Sequence, residues 1–148
     1  MNNNKYILNF IAELIHPNLE INHSKYFPTK INFWDKVVKH GSSHLVLPLI
    51  YSSIQKKKLV KYVPDDLLNF LKNLAEINYN RNKEILNQIN QIVKILKEHK
   101  ISYVFLKGAA TLLYKKHDTI YTRMIGDIDL LIDKKDINNA QQILKNEG

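Results

Sequence analysis

Arg123-Met124-Ile125-Gly126-Asp127-Ile128-Asp129-Leu130-Leu131-Ile132 sets two carboxylates two residues apart at the head of an apolar run. The run predicts a strand over 125–132. Successive side chains of a strand turn to opposite faces, so Asp127 and Asp129 share one face and Ile128, Leu130 and Ile132 the other. The uninterrupted Leu130-Leu131-Ile132 predicts burial on both faces. Acids on so apolar a strand are costly to bury unless something compensates them, and a divalent metal ion is the evident compensation. The plainer alternative makes Asp127 a turn residue after Gly126 and leaves Asp129 facing solvent on an edge strand.

Upstream, Ile101-Ser102-Tyr103-Val104-Phe105-Leu106 is β-branched and aromatic and predicts a strand over 101–106. Lys107-Gly108-Ala109-Ala110 then turns into a helix over 108–114. A glycine at such a junction lets backbone approach a phosphate, and the helix start offers unpaired N–H groups. Lys107 adds a point charge, and Arg123 has the fork geometry for a phosphate or, in the plainer reading, for a surface ion pair with Asp118. A polar connection over 115–122 links this helix to the acidic strand. A last helix follows, with Asp136 as its N-cap and Ile137, Ala140, Ile143 and Leu144 on one face. Gly148 is expected to cap it and lead into a further element, so the chain is expected to be the front part of a longer protein.

The first hundred residues read as helical. Ile7, Leu8, Ile11, Leu14 and Ile15 form one apolar face before Pro17. A second helix opens at Asn32 as N-cap and is expected to end at Gly41, a break that would keep His40 and His44 from aligning as metal ligands. A third is expected over 43–54. Pro64-Asp65-Asp66 suits a helix start, and the pattern predicts one unbroken helix to about Glu98. Its stripe reads Leu67, Leu71, Leu74, Ile77, Ile85, Ile89, Ile92 and Leu96. The fold class is therefore α+β, with a helical region over 1–100 followed by a strand–helix–strand–helix unit over 101–148.

The 148 residues suffice for a sizeable core. The chain has no cysteine, which excludes disulfides and thiolate metal sites. The N-terminal apolar piece is short and interrupted, unlike a signal peptide, and no apolar run approaches the roughly 20 residues of a membrane span. A cytoplasmic protein with no membrane association is expected. Lys+Arg number 22 against 14 Asp+Glu, a net charge of +8. That balance favours an anionic partner, although Lys56-Lys57-Lys58 reads more simply as a solvated face. A second lysine pair stands at Lys115-Lys116.

Phe105-Leu106-Lys107-Gly108-Ala109-Ala110, Tyr114, Arg123 and Gly126-Asp127-Ile128-Asp129-Leu130-Leu131-Ile132 together resemble the uncharacterised nucleotidyltransferase family of the polymerase-β-like superfamily. The helical lead-in around Trp34, His40-Gly41 and Leu47-Pro48-Leu49 is also similar. The resemblance implies the start of a polymerase-β-like domain, truncated at 148. It implies transfer of a nucleoside monophosphate from an NTP to an acceptor hydroxyl. Asp127 and Asp129 would be catalytic ligands to two Mg²⁺ ions, and Lys107, Gly108 and Arg123 would hold the nucleotide. The acceptor, whether small molecule, protein or nucleic acid, is left open. Two departures stand out. Lys107-Gly108-Ala109 replaces the superfamily's Gly-Ser turn, and its third carboxylate on a later strand has no counterpart here. Two alternatives therefore stand beside the enzyme: a catalytically incomplete nucleotide- or partner-binding module, and a basic helical nucleic-acid binder.

Overall fold

The computed structural model describes residues 3–27, 32–114 and 118–147. Lys115, Lys116 and the expected Gly148 cap lie outside the described residues, as does the side chain of Asp118. In chain order the elements are α1 (Asn3–Ile15), α2 (His23–Tyr26), α3 (Phe33–Ser43), α4 (Leu47–Lys56), a single 3-10 turn (Val60–Tyr62), α5 (Asp65–Glu98), β1 (Tyr103–Phe105), α6 (Lys107–Tyr114), α7 (Asp118–Thr122), β2 (Leu130–Ile132) and α8 (Ile137–Glu147). The fold is α+β and mostly helical. Two compact units are present, Met1–Tyr79 with Tyr121–Met124, and Asn80–Ile120 with Ile125–Gly148.

The first unit is built on an aromatic cluster. Phe10 is fully buried. The ring centroids of Tyr26, Phe33, Trp34 and Phe27 lie 4.9, 5.0, 5.8 and 6.1 Å from its own, all edge-on, the geometry that ring quadrupoles favour. Gly41 does not end α3 but lies inside it. A Cβ there would meet side-chain atoms of Ile50 and Leu47 at 2.7 Å, so the glycine lets α3 and α4 approach closely. The third helix correspondingly starts at Leu47, with Pro48 in its first turn. Asn32 does stand before α3, but in the left-handed region and without a side-chain cap bond. Lys57 is not a solvated charge. Its ammonium donates to the carbonyls of Glu13, His16 and Leu19 at 2.7, 2.9 and 2.5 Å, the first in the last turn of α1, where helical partners run out, and the others in the loop that follows. Burial pushes it below the ordinary lysine range, against the opposing pull of Glu13.

Three helices end in the same way, and none uses glycine. Leu45, Lys58 and Lys100 take φ of 56°, 55° and 55°. The next residues, Val46, Leu59 and Ile101, donate their N–H back to Gly41, Ile54 and Leu96 at 2.9 Å each. This is the Schellman closure, with its apolar residue just beyond the cap. Leu59 and Ile101 are buried and Val46 packs on the core, so packing holds a left-handed residue that sterics alone disfavour.

The unbroken α5 holds as expected, but its stripe differs. Buried positions fall at Leu71, Ala75, Asn78, Asn82, Ile85 and Ile89, at steps of three and four residues that pass through two asparagines, and again at Leu96, two turns on. Ile77 lies off this line and is 65% exposed. The expected polar connection over 115–122 contains α7.

In the second unit the strands are shorter than expected. Phe105 pairs with Leu130, Val104 with Leu131 and Tyr103 with Ile132 in a two-stranded antiparallel ladder. Leu106 N–H adds one rung to the carbonyl of Asp129 at 3.0 Å. Residues 125–129 have no strand partner beyond that rung, which is why the strand begins at Leu130. Alternation still governs them. Ile128, Leu130 and Ile132 pack on the core together with Phe105 and Tyr103, whereas Val104 and Leu131 are 56% and 57% exposed. The expected burial of both faces is thus corrected: one face is covered and the other, which carries Asp129, is open. α6 packs Ala109 and Leu112 on Ile85, Ile89 and Ile125, and α8 packs Ala140, Ile143 and Leu144 beside Leu96 and Ile101.

Two outcomes are expected from these features. Lys100→Gly removes a left-handed side-chain penalty of ~1 kcal/mol, so urea denaturation should show a gain of up to that size. Burial works to raise the Glu13 carboxyl, but hydrogen bonds from Lys25 at 2.6 Å and Tyr26 at 2.9 Å, with the nearby lysine charges, hold it below its ordinary range. A depressed carboxylate contributes stability above its unfolded pKa and loses it as pH falls through the folded value. Glu13→Gln should therefore flatten the acid limb of the stability curve, as read by melting temperature below pH 5.

Candidate active site

The turn between β1 and α6 brings Lys107 to Asp129. The Leu106–Asp129 rung fixes the two backbones, and the Lys107 ammonium then reaches Asp129 Oδ1 at 3.2 Å. The lysine side chain is 70% exposed and the aspartate 27%. Lys107 also has φ of 47°, a conformation that L side chains rarely adopt and that clusters at functional sites. The positive φ of this turn therefore falls on the lysine and not on Gly108, whose own role is packing. A Cβ on Gly108 would lie 3.0 Å from Ile125 Cγ2, so the glycine seats α6 against the start of the acidic segment.

Asp127 is exposed and lines a cavity of about 360 Å³ with Gly126, Ile128 and the α5 residues Arg81, Glu84, Ile85 and Gln88. Arg81 Nη2 donates to the Gly126 carbonyl at 3.4 Å. A side chain at Gly126 would meet nothing within 4 Å, so the backbone beside Asp127 is open to a ligand. Arg81, Glu84 and Gln88 carry no motif in the sequence, and only their spacing on the exposed side of α5 hinted at a shared surface.

Arg123 is exposed, and its carbonyl accepts from Asn78 Nδ2 at 3.2 Å. The same amide reaches the Tyr121 carbonyl at 3.1 Å. Asn82 Nδ2, on the next turn of α5, donates to the Ile120 carbonyl at 2.8 Å. These asparagines meet the last turn of α7 and Arg123, just ahead of the acidic segment, and an apolar periodicity gives no signal for them. Tyr79 and Tyr121 stack at 4.3 Å beside them. α3 runs through Gly41, so it does not separate His40 from His44 as expected. Among the described residues no three His, Asp or Glu side chains gather into a group that could hold a metal.

The sequence model of a family described as "Uncharacterised nucleotidyltransferase" matches residues 32–148. The chain belongs to this family. No curated protein and no solved structure matches it. The match to the uncharacterised nucleotidyltransferases takes in the Lys107 turn, Arg123, both aspartates and the whole of α5. It supports a nucleotidyltransferase role with a nucleotide substrate. Among the described residues no helix is long and apolar enough to cross a membrane.

The Gly108–Ile125 contact makes a direct prediction. Gly108→Val should destabilise the second unit by roughly 1–3 kcal/mol through overpacking, and Ile125→Ala in the same chain should recover part of that loss. Additive losses in a denaturation cycle would show that the two positions do not share the contact.

Proposed function

We propose that the chain moves a nucleoside monophosphate from an NTP to an acceptor hydroxyl, with Asp127 and Asp129 holding Mg²⁺ and Lys107 meeting the triphosphate. The observation that carries this reading is the Lys107–Asp129 apposition at 3.2 Å on an open face, in a chain of a nucleotidyltransferase family. A cation already stands on Asp129, so the carboxylate is positioned to receive one. The donor set suits Mg²⁺, which takes hard oxygen ligands and often keeps one or two protein carboxylates with water and phosphate oxygens. Two bound ions would lower the pKa of an attacking hydroxyl and stabilise a leaving pyrophosphate.

The chain's own residues account for the rest. Leu106 N–H holds the backbone of Asp129, and Arg81 holds the carbonyl of Gly126, so both carboxylates are carried on tethered backbone. In the reaction the acceptor oxygen forms a bond to the α-phosphorus. The bond from that phosphorus to the bridging oxygen breaks, pyrophosphate leaves with the electron pair, and the hydroxyl proton passes to solvent. Lys107 would neutralise charge on the β- and γ-phosphates. The N–H groups at the start of α6, eight residues long, would do the same through their dipole. Arg123, a residue of the family motif, would steady a phosphate or the acceptor. The polymerase-β-like arrangement belongs to this reading too.

The test is transfer of α-labelled NTP in Mg²⁺ by the full-length protein. Asp127→Asn and Asp129→Asn should each lower the rate on the order of 10²-fold or more, the scale of losing one charge-stabilising group. Undiminished transfer in both variants would remove the metal assignment.

A further inference from the structure

Lys107 and the expected metal ions compete for the same oxygen. The ammonium stands 3.2 Å from Asp129 Oδ1, inside the space that a cation bound to that oxygen would occupy. The placement is built in, because the rung from Leu106 N–H to the Asp129 carbonyl fixes the backbone next to both residues. The side chain is nevertheless 70% exposed, so it is free to swing away. Lys107 also takes a φ of 47°, so the contact sits on a backbone conformation that L side chains rarely adopt. We propose that Lys107 is an internal counter-ion: it occupies Asp129 until a divalent cation displaces it, and the released ammonium then takes up a phosphate. The inference rests on the proposed metal role of Asp127 and Asp129. It adds that metal and triphosphate bind with positive coupling, since each relieves a cost of binding the other. Such coupling is reciprocal by thermodynamic necessity.

The experiment uses the full-length protein and two separate probes. Mn²⁺ binding is followed by the loss of its free paramagnetic signal, without nucleotide. Inorganic triphosphate binding is followed by calorimetry in a chelator. Lys107→Gln should bind Mn²⁺ about fivefold more tightly or better, the lower end of ordinary coupling factors, and should bind triphosphate more weakly by a similar factor. Lys107→Arg, which keeps the charge and its reach, should behave as wild type. Lys135→Gln removes one positive charge beside Asp133, to which Lys135 is paired at 3.8 Å, and serves as the control for net charge. An unchanged or weakened Mn²⁺ affinity in Lys107→Gln overturns the proposal. An equal gain in Lys135→Gln also overturns it, since the effect would then be general electrostatics. Unchanged triphosphate binding overturns the coupling. If Mn²⁺ binding by wild type is absent, or is untouched by Asp127→Asn and Asp129→Asn, the metal reading itself has failed. If those two variants weaken Mn²⁺ binding and Lys107→Gln does not change it, only the counter-ion role has failed.

Discussion

Asn78 and Asn82 stand where an amphipathic helix would ordinarily carry leucine, and both are buried. A carboxamide taken out of water without a partner costs roughly 1–3 kcal/mol. Here the amide groups meet backbone carbonyls of Ile120, Tyr121 and Arg123. The exchange serves both sides. The Ile120 and Tyr121 carbonyls lie in the last turn of α7, where a helix leaves its carbonyls without intrahelical partners. A leucine at either position would keep the stripe apolar and remove the side-chain donor that meets those carbonyls. The path of the chain into Gly126 and Asp127 therefore depends on two polar side chains set in a hydrophobic line.

That dependence explains what the sequence conveyed and what it hid. The unbroken α5, the strand–helix order of the second unit and the presence of α8 follow from periodicity, which is local. Periodicity misses the middle of the stripe, since it counts apolar residues and takes Ile77 over Asn78. Only a distant acceptor on residues 120–123 makes asparagine an interior residue. Strand length was overread for a related reason. A β-branched run marks what favours a strand, but the ladder extends only as far as a partner does, and β1 offers three residues. The Lys107–Asp129 contact lies 22 residues apart in sequence. The motif gave both partners, while the antiparallel register that joins them was not available from either.

Helix endings were hidden in another way. Glycine is the usual signal for a left-handed cap, and Gly41 was read as one. The chain instead ends α3, α4 and α5 on Leu45, Lys58 and Lys100 and pins each with the apolar residue that follows. The cost of a left-handed side chain, ~1–2 kcal/mol, is comparable to what burial of one Leu or Ile side chain returns. Lys107 is left-handed without standing at such a helix end. Its side chain is exposed, and what it reaches is a carboxylate. At that position the strain accompanies a charge contact and not a packed core, and this sets it apart from the three caps.

The magnitudes at this contact decide how it behaves. An ion pair between exposed groups contributes ~0.2–1 kcal/mol, because water screens the attraction and ordering a long lysine side chain has an entropic cost. On the proposed reading a pair that weak would yield to a divalent ion, whose attraction to the same carboxylate is about twice as large per unit distance. The surroundings point the same way. The chain carries a net charge of +8, which opposes a lone cation approaching from solution, while Asp127, Asp129 and Glu84 oppose a lone polyphosphate at close range. On the proposed reading a metal–triphosphate complex would offset both, since its cation would meet the carboxylates and its phosphates would meet Lys107. Its charges would then match the proposed site in sign and in order.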